Sequence, residues 1–267
     1  MIRSVSFTNF QGLTTPKPLP LSKFTVLVGL NGSGKTTVLR ALHRVLEGTT
    51  VNAPCLRKGS IPSGYTTSIE VTGRGSASYF EYEDGKAVFS RCGEFRSGEY
   101  RSVLVDDDSV ARAVKEWEDD AEGKAWLSKL LRGFAEYRIL SRELKDAPLS
   151  SLSRGVRYFL AIYDLHHEAG RRGPVLLDDF GSSMHPALTA SIAANVADWH
   201  QQIVMSTHSI DVLFELVADD YDFTVLRLSR NGKKVTAEQL SAEEVDRYFE
   251  GGVDPRTVFG GRCSDER

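Results

Sequence analysis

The sequence predicts an α/β fold: a parallel-sheet core, an antiparallel β subdomain in the first half and a helical insertion in the middle. Three observations carry this. Residues 175–228 alternate short apolar runs with stretches of helical period, and strict strand–helix succession implies parallel pairing through right-handed crossovers. Residues 68–90 hold three short β-like runs, SIEV, ASYFEYE and KAVFS, divided by Gly73-Arg74-Gly75 and Asp84-Gly85, which reads as an antiparallel meander. Residues 109–145 shift to helix formers, with Trp117, Trp126, Leu127, Leu130, Leu131 and Phe134 at helical intervals as candidate core.

The remaining elements follow in order. Residues 2–7 alternate like a half-buried strand, and residues 24–28 are an apolar run that ends at a glycine-rich loop. Residues 36–46 read as a helix. Beyond the insertion come a helix over 157–169, strand 175–177, helix 187–199, strand 203–205, helix 210–217 and strand 223–228. Ser241 with Glu244 forms a capping box that opens a last helix through Tyr248, and the tail beyond Gly260 is expected to be loose.

Composition narrows the class. A chain of 267 residues, 41% hydrophobic and 26% charged, can bury the core of one domain. A formal charge of −3 gives no reason for the whole molecule to coat nucleic acid or an anionic membrane, so any contact with DNA would be local. Cys55, Cys92 and Cys263 stand far apart without metal-ligand spacing, which suits reduced thiols. The opening residues, MIRSVSFTNFQGL, lack a long apolar run, so neither a signal peptide nor a membrane span is expected, and the predicted location is cytoplasmic.

The chemistry is concentrated at residues 29–37, GLNGSGKTT. Gly29, Gly34, Lys35 and Thr36 satisfy G-x-x-x-x-G-K-[ST]: the glycines permit an anion-cradling backbone, Lys35 reaches outer phosphates and the Thr36 hydroxyl can ligate magnesium. A match arises by chance in a chain of this length on the order of once in a hundred sequences. ATP with Mg²⁺ is therefore the expected ligand, held by Asn31, Gly32, Ser33, Gly34, Lys35, Thr36 and Thr37. Pro174-Val175-Leu176-Leu177-Asp178-Asp179 is an apolar strand ending in two carboxylates. Asp178 is the expected metal ligand beside Thr36, and Asp179 is placed to orient or deprotonate an attacking water.

Two further segments resemble a known family. Leu152-Ser153-Arg154-Gly155 before a helix resembles the signature of ABC-class ATPases, and Ser206-Thr207-His208-Ser209 after a strand resembles their switch histidine. In the order phosphate loop, signature, Asp-Asp strand, Met184-His185-Pro186 turn and STHS, with Asn9-Phe10 near the start, they resemble the SMC/RecF/OLD-like group of ABC ATPases over about residues 1–230. The resemblance implies an ATPase head in which two copies sandwich ATP. Ser153, Arg154 and Gly155 would then face the partner's γ-phosphate in trans, His208 would sense that phosphate, and Asp179, His208 and Lys35 would form the catalytic set. The chain divides accordingly into a phosphate-loop lobe with the meander (1–105), a helical lid up to the signature (106–156), the Asp-Asp and switch-histidine core (157–240), and a C-terminal helix and tail (241–267).

The sequence also departs from that pattern. No glutamine occurs between Gln11 and Gln201, so the family's Q-loop glutamine has no counterpart at its usual place, and Asp179 stands where a glutamate is usual. Two functions stay open: slow hydrolysis that switches a partner, or a nucleotide-gated scaffold with little hydrolysis. The insertion is too short for a coiled-coil rod, and the residues after 228 are too few for a Toprim nuclease domain. A nuclease activity would therefore belong to a separate effector, an association typical of phage defence in the family. A membrane-transporter subunit fits less well. Asp106-Asp107-Asp108 and Asp119-Asp120 read as solvated faces. Arg138, Arg142 and Lys145, with Arg154 and Arg157, are either a local DNA patch or a salt-bridged helix face, the latter preferred because Glu136, Glu143 and Asp146 interleave.

Overall fold

Every side chain of Phe24–Val28 is buried, so this strand must be covered on both faces, as the central strand of a parallel sheet is. The computed structural model places it there. It describes residues 1–47, 65–73, 76–82, 87–92, 102–118, 148–167, 173–182 and 184–256, with isolated residues between 121 and 129. Its strands are β1 (Ile2–Thr8), β2 (Leu19–Pro20), β3 (Phe24–Val28), β4 (Tyr65–Gly73), β5 (Ser76–Tyr82), β6 (Ala87–Cys92), β7 (Val103–Val105), β8 (Val175–Phe180), β9 (Ile203–Thr207), β10 (Thr224–Asn231) and β11 (Lys234–Ser241). The helices are α1 (Lys35–Glu47), α2 (Asp107–Trp117), α3 (Arg154–His167), α4 (Pro186–Ala197), α5 (Ile210–Ala218) and α6 (Ala242–Glu250), with a 3-10 turn at Leu149–Ser151.

The strands form two sheets. One is five-stranded and antiparallel in the order β2-β1-β4-β5-β6; the other is six-stranded in the order β11-β10-β3-β9-β8-β7, parallel from β10 to β7 with β11 antiparallel at its edge. Alternation along β3 sends Val26 and Val28 into a core with residues of α3, α4 and α5, and Leu27 into a second core with α1 and the antiparallel sheet. Helix α1 lies between the sheets, with Val38, Leu39, Ala41 and Leu42 fully buried. A large-to-small change there, such as Leu42→Ala, removes about 2–5 kcal/mol.

The expected parallel core, meander and capping box are all present; Ser241 accepts from the Glu244 amide, and the Glu244 carboxylate accepts from the Ser241 amide at 2.7 Å. Three strands were not expected. β2 and β7 are two and three residues long, too short to show a period. β11 returns from β10 through a turn at Gly232, so residue 228 does not end the last core strand; Asn231-Gly232 was the readable hairpin signal. Of the expected helical insertion the structure describes α2 over Asp107–Trp117; Trp126, Leu127, Leu130, Leu131, Phe134, Arg138, Arg142, Lys145, Asp119-Asp120 and the tail beyond Gly260 lie outside the described residues. Among the described residues, no helix is long and apolar enough to cross a membrane.

Candidate active site

The C-terminal ends of β3, β8 and β9 open onto one cavity of about 960 Å³. β3 leads into the loop at residues 29–34, which turns into α1 and so presents a helix N-terminus to the cavity, a position that favours anions. Gly29 has no alternative: its φ is +137°, and a Cβ there would stand 2.4 Å from the Leu228 carbonyl oxygen. The Lys35 ammonium donates to the carbonyls of Gly29 (2.9 Å) and Leu30 (3.1 Å). Burial pulls its pKa down, partly opposed by Asp178 and Asp179.

At the end of β8 the pairing with β9 slips between Leu177 and Phe180, and Asp179 takes φ +53°. This irregularity aims consecutive carboxylates at the cavity. Asp178 Oδ1 accepts from Thr36 Oγ1 (3.1 Å) and from Ser206 Oγ (2.7 Å), while Ser206 Oγ accepts from the Asp179 amide (2.8 Å). The other end of the Asp178–Asp179 peptide is held as well: the buried Tyr158 hydroxyl of α3 donates to the Asp178 carbonyl at 2.7 Å. Burial and the neighbouring Asp178 and Asp179 hold that phenol well above its ordinary pKa, so it stays a donor.

Gly181 follows with φ +83°, and a Cβ there would press on the Thr189 methyl at 2.7 Å. His208 lines the same cavity from the end of β9. Its pKa is lowered, first by partial burial and then by Lys35, while Asp179 raises it and Arg256 lowers it further. The net shift favours the neutral imidazole.

Asn31, Gly32, Gly34, Lys35, Thr36 and Thr37 all line the cavity, together with Asp178 and Asp179. Ser33 lies behind the loop, 4% exposed, and its hydroxyl has no hydrogen-bond partner among the described residues. Of the signature residues, Ser153 is exposed and Gly155 buried; Arg154 reaches the cavity of its own chain, 2.8 Å from Asp107 and 3.9 Å from Asp179. Asp106, Asp107 and Asp108 are part of the cavity wall rather than a face remote from it. They sit where the three-residue β7 ends, and a strand that short hides their position from a sequence reading.

Gln11 was missed too. It enters from the N-terminal loop with φ +50°, and its Oε1 accepts from Thr37 Oγ1 at 3.1 Å. The only signal was its place beside Asn9-Phe10. The oxygens of Thr36 and Asp178 fit a hard divalent cation completed by phosphate and water oxygens; among the described residues no group of three or more His, Cys, Asp or Glu could hold a metal.

A glycine-rich loop at the end of a central parallel strand, with the strands that carry Asp178-Asp179 and lead to His208 beside it, is the arrangement of a P-loop ATPase-head fold. The chain belongs to the family described as AAA domain, putative AbiEii toxin, Type IV TA system, whose model matches residues 24–215. No curated protein matches the sequence. Among solved structures, the chain is similar to the Smc head domain of Pyrococcus furiosus, crystallised with an extended coiled coil and the C-terminal domain of ScpA, at 14% identity and TM-score 0.56, covering 94% of this chain and 98% of that one. It is similar to the SMC head domain of Thermotoga maritima (15%, 0.55, 90% and 98%) and to the recombination mediator RecF with ATP (12%, 0.54, 90% and 99%). At these identities the likeness is one of fold, and the fold is that of SMC and RecF ATPase heads.

Proposed function

We propose that this protein is an ATP-hydrolysing head that closes on a second copy around ATP and thereby switches a separate effector. The observation that carries it is the convergence of Lys35, Thr36, Asp178, Asp179 and His208 on one cavity. Lys35 neutralises outer phosphate charge. Thr36 and Asp178 would hold Mg²⁺, which when bound offsets charge on the phosphates. Asp179, its peptide fixed by Ser206 and Tyr158, orients the water and takes its proton, and His208 donates toward the γ-phosphate. Ser153, Arg154 and Gly155 complete the partner's site in trans.

The effector is a separate chain, a nuclease in the first instance, and the phage-defence setting rests on family analogy alone. Phosphate release in Mg²⁺ and ATP is the test: the wild type turns over, and Lys35→Ala loses on the order of 10²–10³-fold. Turnover no higher than a buffer blank overturns hydrolysis.

A second reading is a latch, in which ATP closes the dimer without hydrolysis. Asp179 favours it, being one methylene shorter than glutamate and only 3.9 Å from the Arg154 guanidinium, which competes for its charge. A mass that doubles on ATP addition with no phosphate released selects the latch; a mass unchanged by ATP removes the dimer from both readings.

A further inference from the structure

The family match ends at residue 215, yet the loop that carries His208 is held by residues 254–256. Arg227 is the starting point. It stands on β10 beside Val28, the last residue before the phosphate loop, and its side chain is 1% exposed. A buried guanidinium needs its charge and its donors matched. Nε and Nη2 donate to Glu238 Oε2 at 3.2 and 2.6 Å, the Tyr248 ring lies 5.7 Å away, and Nη1 donates to the Pro255 carbonyl at 3.1 Å. Arg227 thus pins the turn Asp254-Pro255-Arg256 against the core sheet.

Within that turn Asp254 Oδ1 accepts from the Arg256 amide and from Arg256 Nε, both at 2.9 Å, and Asp254 Oδ2 accepts from Arg256 Nη2 at 2.6 Å. A carboxylate gripping one edge of a guanidinium sets the direction of its remaining nitrogen. That nitrogen, Nη1, donates to the His208 backbone carbonyl. The switch loop has its own local bond, from the Ser209 amide to Thr207 Oγ1 (2.9 Å), but only the C-terminal turn reaches His208 itself among the bonds described.

We propose that Arg256 is a positioning residue for His208, and that the Asp254–Arg256 turn, pinned by Arg227, is a clasp on the switch loop. It does not touch nucleotide. It fixes the backbone from which the imidazole addresses the γ-phosphate, so its loss lowers the rate of the step His208 assists and leaves ATP binding to the phosphate loop intact. This rests on the role given to His208 above.

The test is steady-state ATP turnover, with a fluorescent ATP analogue for affinity and the His208 Hε1 resonance for the loop. Arg256→Ala lowers kcat about 10-fold while KM and analogue Kd stay within about 2-fold. Arg256→Lys recovers part of the loss. Asp254→Asn falls in the same direction, and the Asp254→Asn/Arg256→Ala double variant is no worse than Arg256→Ala, since both act through one contact. In a His208→Ala background, Arg256→Ala changes kcat by less than about 2-fold. Unchanged kcat in Arg256→Ala, or equal losses with and without His208, overturns the clasp. If the wild type shows no turnover, the hydrolysis reading fails, and the clasp is judged on the resonance alone: Arg256→Ala shifts or broadens it, and an unchanged line overturns the proposal.

Discussion

Two walls of the same cavity are built differently. On one side Lys35 is 7% exposed and Ser206 1%, and Thr36, Asp178, Ser206 and the Asp179 amide form one connected set of hydrogen bonds. On the other, Asp107 and Arg154 meet as an exposed ion pair, their side chains 78% and 45% accessible. Bonds partly buried against the sheet are in place without a ligand, because breaking them leaves polar groups poorly solvated. An exposed pair is screened and weakly held, so it can exchange partners at small cost. The phosphate-loop wall is the more firmly bonded one, and the Arg154 wall is the more easily rearranged.

Variants can break that contrast. The largest effect is expected at Asp178→Asn, which removes the carboxylate that Thr36 and Ser206 share: phosphate release falls about 10²-fold or more while circular dichroism stays that of the wild type. Tyr158→Phe is milder. It leaves the Asp178 carbonyl unpaired and Asp179 less firmly held, and kcat falls about 10-fold with ATP affinity retained; an affinity loss as large as the rate loss would show that the phenol supports binding instead.

Arg154→Ala tests the other wall. Its melting temperature stays near that of the wild type, since an exposed pair contributes at most about 1 kcal/mol. Nucleotide still binds, but turnover and ATP-induced association drop together; loss of nucleotide binding itself would make the two walls equivalent.

The smallest effect is in pH. The Asp254 carboxyl lies below its ordinary value because Arg256 donates to it. A group whose folded pKa is lowered adds stability that is complete above its unfolded value and disappears as pH falls through the folded one. Asp254→Asn therefore costs less than about 1 kcal/mol at neutral pH, and wild type and variant converge in acid melts below the folded pKa. A gap that persists there would mean that Asp254 acts by shape rather than charge.

Much of the more firmly bonded wall could be read from the residues in order. G-x-x-x-x-G-K-[ST] is local, its parts being fixed by spacing, and Asp178 is announced by the apolar run before it. Asp106, Asp107, Asp108, Gln11 and Tyr158 were not legible. They come from the start of the helix that follows a three-residue strand, from an N-terminal loop and from the second turn of another helix, and nothing in their own neighbourhoods points to a phosphate site. Ser206 was read as part of the switch motif, but its bond to Asp178, 28 positions away, exists only because β8 and β9 are neighbours.

By itself the sequence determined what depends on neighbours along the chain: strand and helix periods, the capping box at Ser241, the glycines of the loop, and the pairing of an apolar run with two aspartates. Tertiary structure alone decided what depends on distance in space. It brought Gln11 to Thr37, turned Arg154 toward Asp107, and laid the Asp254–Arg256 turn against His208. Those contacts arise from how sheets and helices pack, which buries particular faces together, and a one-dimensional pattern records which residues must be buried but not what they will be buried against.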